Sequence, residues 1–89
     1  MYRVLIVDDE RIARESVQNS LAVLEELELE LVTVESAVKA VSILEVERID
    51  IAIMDINMPQ MTGLELYEIV RKNWPQCKVI FLTGYSEFD

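Results

Sequence analysis

The sequence predicts an α/β fold, a doubly wound parallel sheet with helices on both faces. Short runs that are apolar at every position alternate with segments whose apolar residues recur at helical spacing. Only two Gly and two Pro interrupt the pattern, and acidic or hydroxyl residues stand directly after three of the apolar runs. Hydrophobic residues make up 52% of the chain, a composition that suits a packed core and not disorder. At 89 residues there is room for one domain. A chain this short buries only about 60–65% of the surface its unfolded form exposes, so its stability is marginal.

The runs Val4-Leu5-Ile6-Val7, Ile51-Ala52-Ile53-Met54 and Val79-Ile80-Phe81-Leu82 read as core strands covered on both faces. Leu31-Val32-Thr33-Val34 is mixed and flanked by glutamates, which suits an edge strand. Ala13, Val17, Ser20, Leu21 and Leu24 form one stripe on a helix expected from about Glu10 to Glu26. Ala37, Ala40, Val41 and Leu44 repeat that spacing, as do Leu66, Ile69 and Val70 after Gly63. The last helix should stop near Asn73, because Pro75 disfavours helical geometry in the residue before it. The order is therefore β1-α1-β2-α2-β3-α3-β4, which demands right-handed crossovers and a parallel sheet. Glu25, Glu26, Glu28 and Glu30 read as a solvated helix end.

Seventeen acidic against eight basic residues give a net charge of -9, which repels nucleic-acid phosphates and anionic membrane surfaces. No nucleic acid or membrane is expected as a partner of this segment. Its apolar runs are too short for a signal peptide or a membrane span. The single Cys77 has no disulfide partner and no His or second Cys beside it for a metal, so it reads as a small buried hydrophobe. A reducing, cytoplasmic location is the expectation.

In a doubly wound sheet, ligands bind beyond the carboxyl ends of the strands, near the point where strand order reverses. Asp8 and Asp9 follow the first run, Asp55 the third and Thr83 the last. Any one Asp at a strand end is explained as a helix or turn cap, Asp9 included. Three together repel one another unless a cation compensates. A hard divalent ion such as Mg²⁺, which takes oxygen ligands and keeps several waters, is the natural counterpart. A carboxylate beside Mg²⁺ can attack a phosphoryl group, while a hydroxyl and backbone N–H groups hold the product's oxygens.

The stretches Arg3-Val-Leu-Ile-Val-Asp-Asp-Glu10, Met54-Asp-Ile-Asn-Met-Pro-Gln-Met-Thr-Gly-Leu-Glu65 and Val79-Ile-Phe-Leu-Thr83 together resemble the receiver domains of two-component response regulators, with their flavodoxin-like fold. The ending Thr83-Gly-Tyr-Ser-Glu-Phe-Asp89 further resembles receivers that precede AraC-type DNA-binding domains. The resemblance implies that Asp55 accepts the phosphoryl group from a histidine kinase and that Asp9 binds Mg²⁺ directly. It implies that Asp8 reaches the metal through water and that the Asn57 backbone carbonyl completes the ligands. Thr83 would be the switch hydroxyl. Pro59 and Gly63 would shape the loop after the acceptor, Gly63 supplying a positive φ. Met58 and Met61 are expected only to pack.

Two departures from the family pattern stand out. Glu35-Ser36-Ala37 runs without the usual Gly into the second helix, so a shorter loop or a shifted helix is expected. Receivers also continue through a further helix, strand and helix, so the chain reads as a receiver incomplete at its C-terminus over residues 1–89. Lys39, Lys72 and Lys78 do not match the family's lysine, and phosphorylation of the chain as it stands is expected to be poor.

In the resulting reading the chain is a signalling phospho-acceptor and not a metabolic enzyme. One alternative is an inactive receiver that serves only in self-association through the edge of the last strand. A dehalogenase-like phosphohydrolase is a lesser alternative, since Asn57 stands where those enzymes carry a second acid. The absence of a Gly-rich loop after the first strand argues against a nucleotide-binding fold.

Overall fold

The computed structural model describes residues 1–82. Strands β1 (Tyr2–Val7), β2 (Leu29–Val34), β3 (Ile51–Asp55) and β4 (Lys78–Leu82) form one parallel sheet in the order β2-β1-β3-β4. Helices α1 (Arg11–Ala22), α2 (Ala37–Val46) and α3 (Gly63–Asn73) connect them. The order reverses between β1 and β3, the switch point of a flavodoxin-like sheet. Among the described residues, no helix is long and apolar enough to cross a membrane.

The strand pleat sorts the apolar runs onto two cores. Leu5, Val7, Ala52 and Met54 face α2 and α3, meeting Ala40, Leu44, Leu66 and Val70, all buried. Val4, Ile6 and Ile53 face the other way, toward Val17 and Leu21 of α1. Each fully buried Leu, Ile or Val of this set contributes roughly 1.5–3 kcal/mol relative to exposure. Cys77 and Met58 are buried as expected, and Met61 packs against the larger core. Burial pushes the Cys77 thiol up to about 11, which keeps it protonated at neutral pH and so a poor nucleophile.

At the amino ends of the strands, Asp50 ties three strands together. Its Oδ2 accepts from the Arg3 N–H at 2.8 Å, its N–H donates to the Arg3 carbonyl, and its carbonyl accepts from the Lys78 N–H. This joint holds β4 in register, with Ile53 opposite Ile80 and Asp55 opposite Leu82.

Several elements differ from the expectations. Helix α1 ends at Ala22, and Glu25–Leu27 forms a separate 3₁₀ turn closed by Glu28 at φ 50°. Only Ala13, Val17 and Leu21 of its stripe are even half-buried; Ser20 and Leu24 are exposed. The four glutamates are therefore not one helix end: Glu30 lies in β2, which starts at Leu29, and its carboxylate bonds the Arg3 guanidinium at 2.7 Å. In the Gly-free β2–α2 link, Ser36 is extended (φ −152°) and caps α2 by accepting the Lys39 N–H, so no positive φ is needed. Finally, β4 is not buried on both faces. Val79 and Phe81 pack against the larger core, with the Tyr67 and Phe81 rings edge to face at 5.8 Å, whereas Ile80 and Leu82 are exposed on the α1 side.

Candidate functional site

Both core strands adjoining the switch point end in carboxylates. Oxygen atoms of Asp8, Asp9 and Asp55 lie within 4.8 Å of one another. Asp8 is buried, Asp55 half-buried and Asp9 exposed. Asp8 continues β1 by donating its N–H to the Val34 carbonyl at 3.2 Å, and its Oδ1 accepts from the Glu10 N–H at 2.9 Å. Burial raises the Asp8 pKa; the Glu10 N–H opposes this, and the charges of Asp55, Asp9 and Glu10 add to the rise. Such crowding of hard oxygen donors fits a divalent cation of the Mg²⁺ type, and the set holds no soft ligand that would favour zinc.

Asn57 lies in the loop after β3 and donates its N–H to Asp55 Oδ1 at 3.2 Å, tying the loop to the carboxylate. Thr83 lies outside the described residues. Among the described residues, no ion pair reaches the acidic cluster; Lys39, for example, pairs with Glu35 at 3.1 Å.

Helix α3 holds the loop from the other side. Thr62 and Glu65 form a reciprocal capping box, with Glu65 N–H to Thr62 Oγ1 at 3.2 Å and Thr62 N–H to Glu65 Oε1 at 2.9 Å. Gly63 donates its N–H to the Ile56 carbonyl at 2.8 Å. Gly63 does not have a positive φ, contrary to expectation; the left-handed residue of this loop is Gln60 at φ 71°. What requires glycine at position 63 is space, because a Cβ there would run into the carbonyl of Asp55. Sequence reading also passed over Arg14, whose Nη1 donates to the Asp8 carbonyl at 2.7 Å. Only its place one turn into α1 hinted at such a contact.

The profile of the response regulator receiver domain family matches residues 4–89, and the chain belongs to that family. It is 34% identical to the response regulator protein FleR of Pseudomonas aeruginosa over 98% of this chain and 18% of FleR. It thus spans less than a fifth of that relative. A crystal structure of a two component transcriptional regulator AraC from Clostridium phytofermentans aligns with TM-score 0.87 and 31% identity, covering 98% of this chain and 70% of the other. The response regulator TrrA from Thermotoga maritima, in complex with Mg²⁺ and BeF, aligns with TM-score 0.84 and 36% identity over 99% of this chain and 74% of TrrA. TrrA also occurs in a structure with the histidine kinase ThkA, with TM-score 0.82 and 36% identity over 96% of this chain and 71% of that one. The chain is thus a receiver domain of the two-component type, a signalling module.

Proposed function

We propose that this receiver domain takes a phosphoryl group from a histidine kinase onto Asp55, with Mg²⁺ held by Asp9, Asp55, the Asn57 carbonyl and, through water, Asp8. The observation that carries this reading is the convergence of three carboxylates at the switch point of the sheet. A carboxylate oxygen of Asp55 attacks phosphorus, the bond from phosphorus to the donor breaks, and the leaving group departs with the electron pair and takes up a proton. When bound, Mg²⁺ neutralises the charge that gathers on the phosphoryl oxygens. The Asn57 N–H orients the attacking carboxylate, and Thr83 is the hydroxyl assigned to the transferred group. In this reading the domain is a phospho-acceptor and not a turnover enzyme. Its compartment is the cytoplasm, where a free thiol such as Cys77 stays reduced. A DNA-binding output of the AraC type would belong to another part of the protein.

Incubation with a small acyl phosphate and Mg²⁺, followed by intact mass, should add one phosphoryl group to the wild-type chain and none to Asp55→Asn. Uptake should be slow, since loss of one electrostatic donor at such a site costs roughly 10²–10³ in rate and no lysine pairs with the cluster among the described residues. Undiminished uptake in Asp55→Asn, or none by wild type on prolonged incubation, would overturn the reading.

A second reading, self-association through the β4 edge, is favoured by one feature. Exposed Ile80 borders an apolar groove of about 130 Å³ that Val4, Leu21, Leu24 and Ile53 also line. Exposed strand edges and apolar patches tend to pair. The repulsion of two chains of charge -9 is screened beyond about 8 Å at physiological salt. Sedimentation equilibrium should show a dimer at micromolar concentration; a constant mass of 10.3 kDa at all concentrations would refute it.

A further inference from the structure

We infer that Arg14 is a positioning residue for the cation pocket: by holding the Asp8 carbonyl it fixes the three-residue loop that carries Asp8 and Asp9. This rests on the reading of the pocket as a cation site. The loop has reason to need a restraint. Its two carboxylates crowd Asp55, so without a cation the charges push the strand ends apart. The helix that follows does not secure it either, because Glu10 sits at the N-cap with no side-chain capping bond and the first turn of α1 holds no acidic residue.

Beyond the Asp8 N–H bond to the Val34 carbonyl, which extends the strand pairing, two bonds take over that role. The Asp8 carboxylate accepts the Glu10 N–H, which closes the loop locally. Arg14, one turn into α1, closes it from outside through the 2.7 Å bond from Nη1 to the Asp8 carbonyl. Its own N–H is bonded to the Glu10 carbonyl at 3.1 Å, so the side chain springs from backbone anchored to the same loop. Arg14 is half-buried and its charge also acts on Glu35 just after β2, whose carboxylate is held below its usual range chiefly by Lys39 and in smaller part by Arg14. Arg14 thus touches the end of β1 directly and acts on the end of β2 by charge alone. A charge-assisted bond to a carbonyl is among the stronger hydrogen bonds available to a loop, and the fork of donors on Arg keeps its direction.

The test is a Mg²⁺ titration followed by backbone amide NMR shifts on wild type, Arg14→Ala, Arg14→Lys and Arg11→Ala. Amide hydrogen exchange of Asp9 and Glu10 without metal is the second readout. Arg11 is exposed and, among the described residues, pairs only with Glu15, so its removal deletes the same charge without touching the loop. Alanine is the best helix former, which keeps α1 intact in both alanine variants. Arg14→Ala should weaken Mg²⁺ binding roughly tenfold, as loss of an outer-shell partner does, and speed exchange at Glu10. Arg14→Lys should recover most of both, and Arg11→Ala should match wild type. Equal affinity in Arg14→Ala and wild type would overturn the role of Arg14 while leaving the cation site standing. No saturable response in wild type would overturn the cation site and the role together; faster Glu10 exchange in Arg14→Ala would then mark the contact as a restraint on the fold alone.

Discussion

Gly63→Ala should cost about 3 kcal/mol of stability and abolish phosphoryl uptake on Asp55, although Gly→Ala in a helix ordinarily stabilises by about 1 kcal/mol. The sign reverses because of what lies beside the residue. A Cβ at position 63 would sit 2.9 Å from the Ile56 Cα and 3.0 Å from the Asp55 carbonyl carbon, with the Asp55 oxygen nearer still. All three are backbone atoms, which cannot swing aside as a flexible side chain would. Overpacking of this kind typically costs 1–3 kcal/mol, and the upper end applies where β3 is clamped between β1 and β4. For a domain of this size that loss lowers Tm by roughly 12–24 °C. Relief comes only by moving the Asp55 backbone or the start of α3, and either displaces the Asp55 carboxylate. Leu64→Ala, at an exposed neighbour, should stay within about 0.5 kcal/mol of wild type. Thermal melts of both variants and mass spectrometry after acyl phosphate treatment check this; a Gly63→Ala chain with wild-type Tm and normal uptake would contradict it.

Asp8→Asn should raise Tm at neutral pH in the absence of divalent cations and weaken Mg²⁺ binding roughly 10–100-fold. Asp8 is buried beside two further carboxylates, and burial is the main reason its folded pKa stands above the ordinary value of 3.8. The folded state therefore holds this proton to a higher pH than the unfolded state does. Stability falls as pH rises from about 3.8 through the raised folded value, and the loss persists above it. Asn removes the charge while its side-chain oxygen can still accept the Glu10 N–H. Each 1 kcal/mol recovered reads as about 4–8 °C in Tm. The gain should vanish in melts below about pH 4, where both states carry the proton. A variant that melts at or below wild type at pH 7 would show that burial of the Asp8 charge is not a cost to this fold. The cost is the counterpart of the proposed function, since the strain that disfavours the empty pocket favours a cation in it.

The fold class, the order of elements along the chain and the carboxyl ends of the strands were legible in the sequence for a local reason. Val4 to Val7 and Ile51 to Met54 are apolar at every position because both faces of those strands are covered. A parallel sheet built from them puts Asp8, Asp9 and Asp55 at one edge before any side chain is placed. Helix α3 was equally readable, since the spacing of Leu66, Ile69 and Val70 and the stop imposed by Pro75 are local signals. Other features depended on atoms brought together across the sequence. Gln60, not Gly63, takes the left-handed turn; Gly63 is needed because residues eight apart press backbone against backbone. The early end of α1 reflects the 3₁₀ turn and the start of β2 at Leu29, where strand pairing with Tyr2 outweighs continuation of a helical stripe. The Arg14 bond to the Asp8 carbonyl and the half-exposed face of β4 likewise came only with the tertiary structure. Residue periodicity records which faces are buried, but not which backbone atoms meet when the elements close.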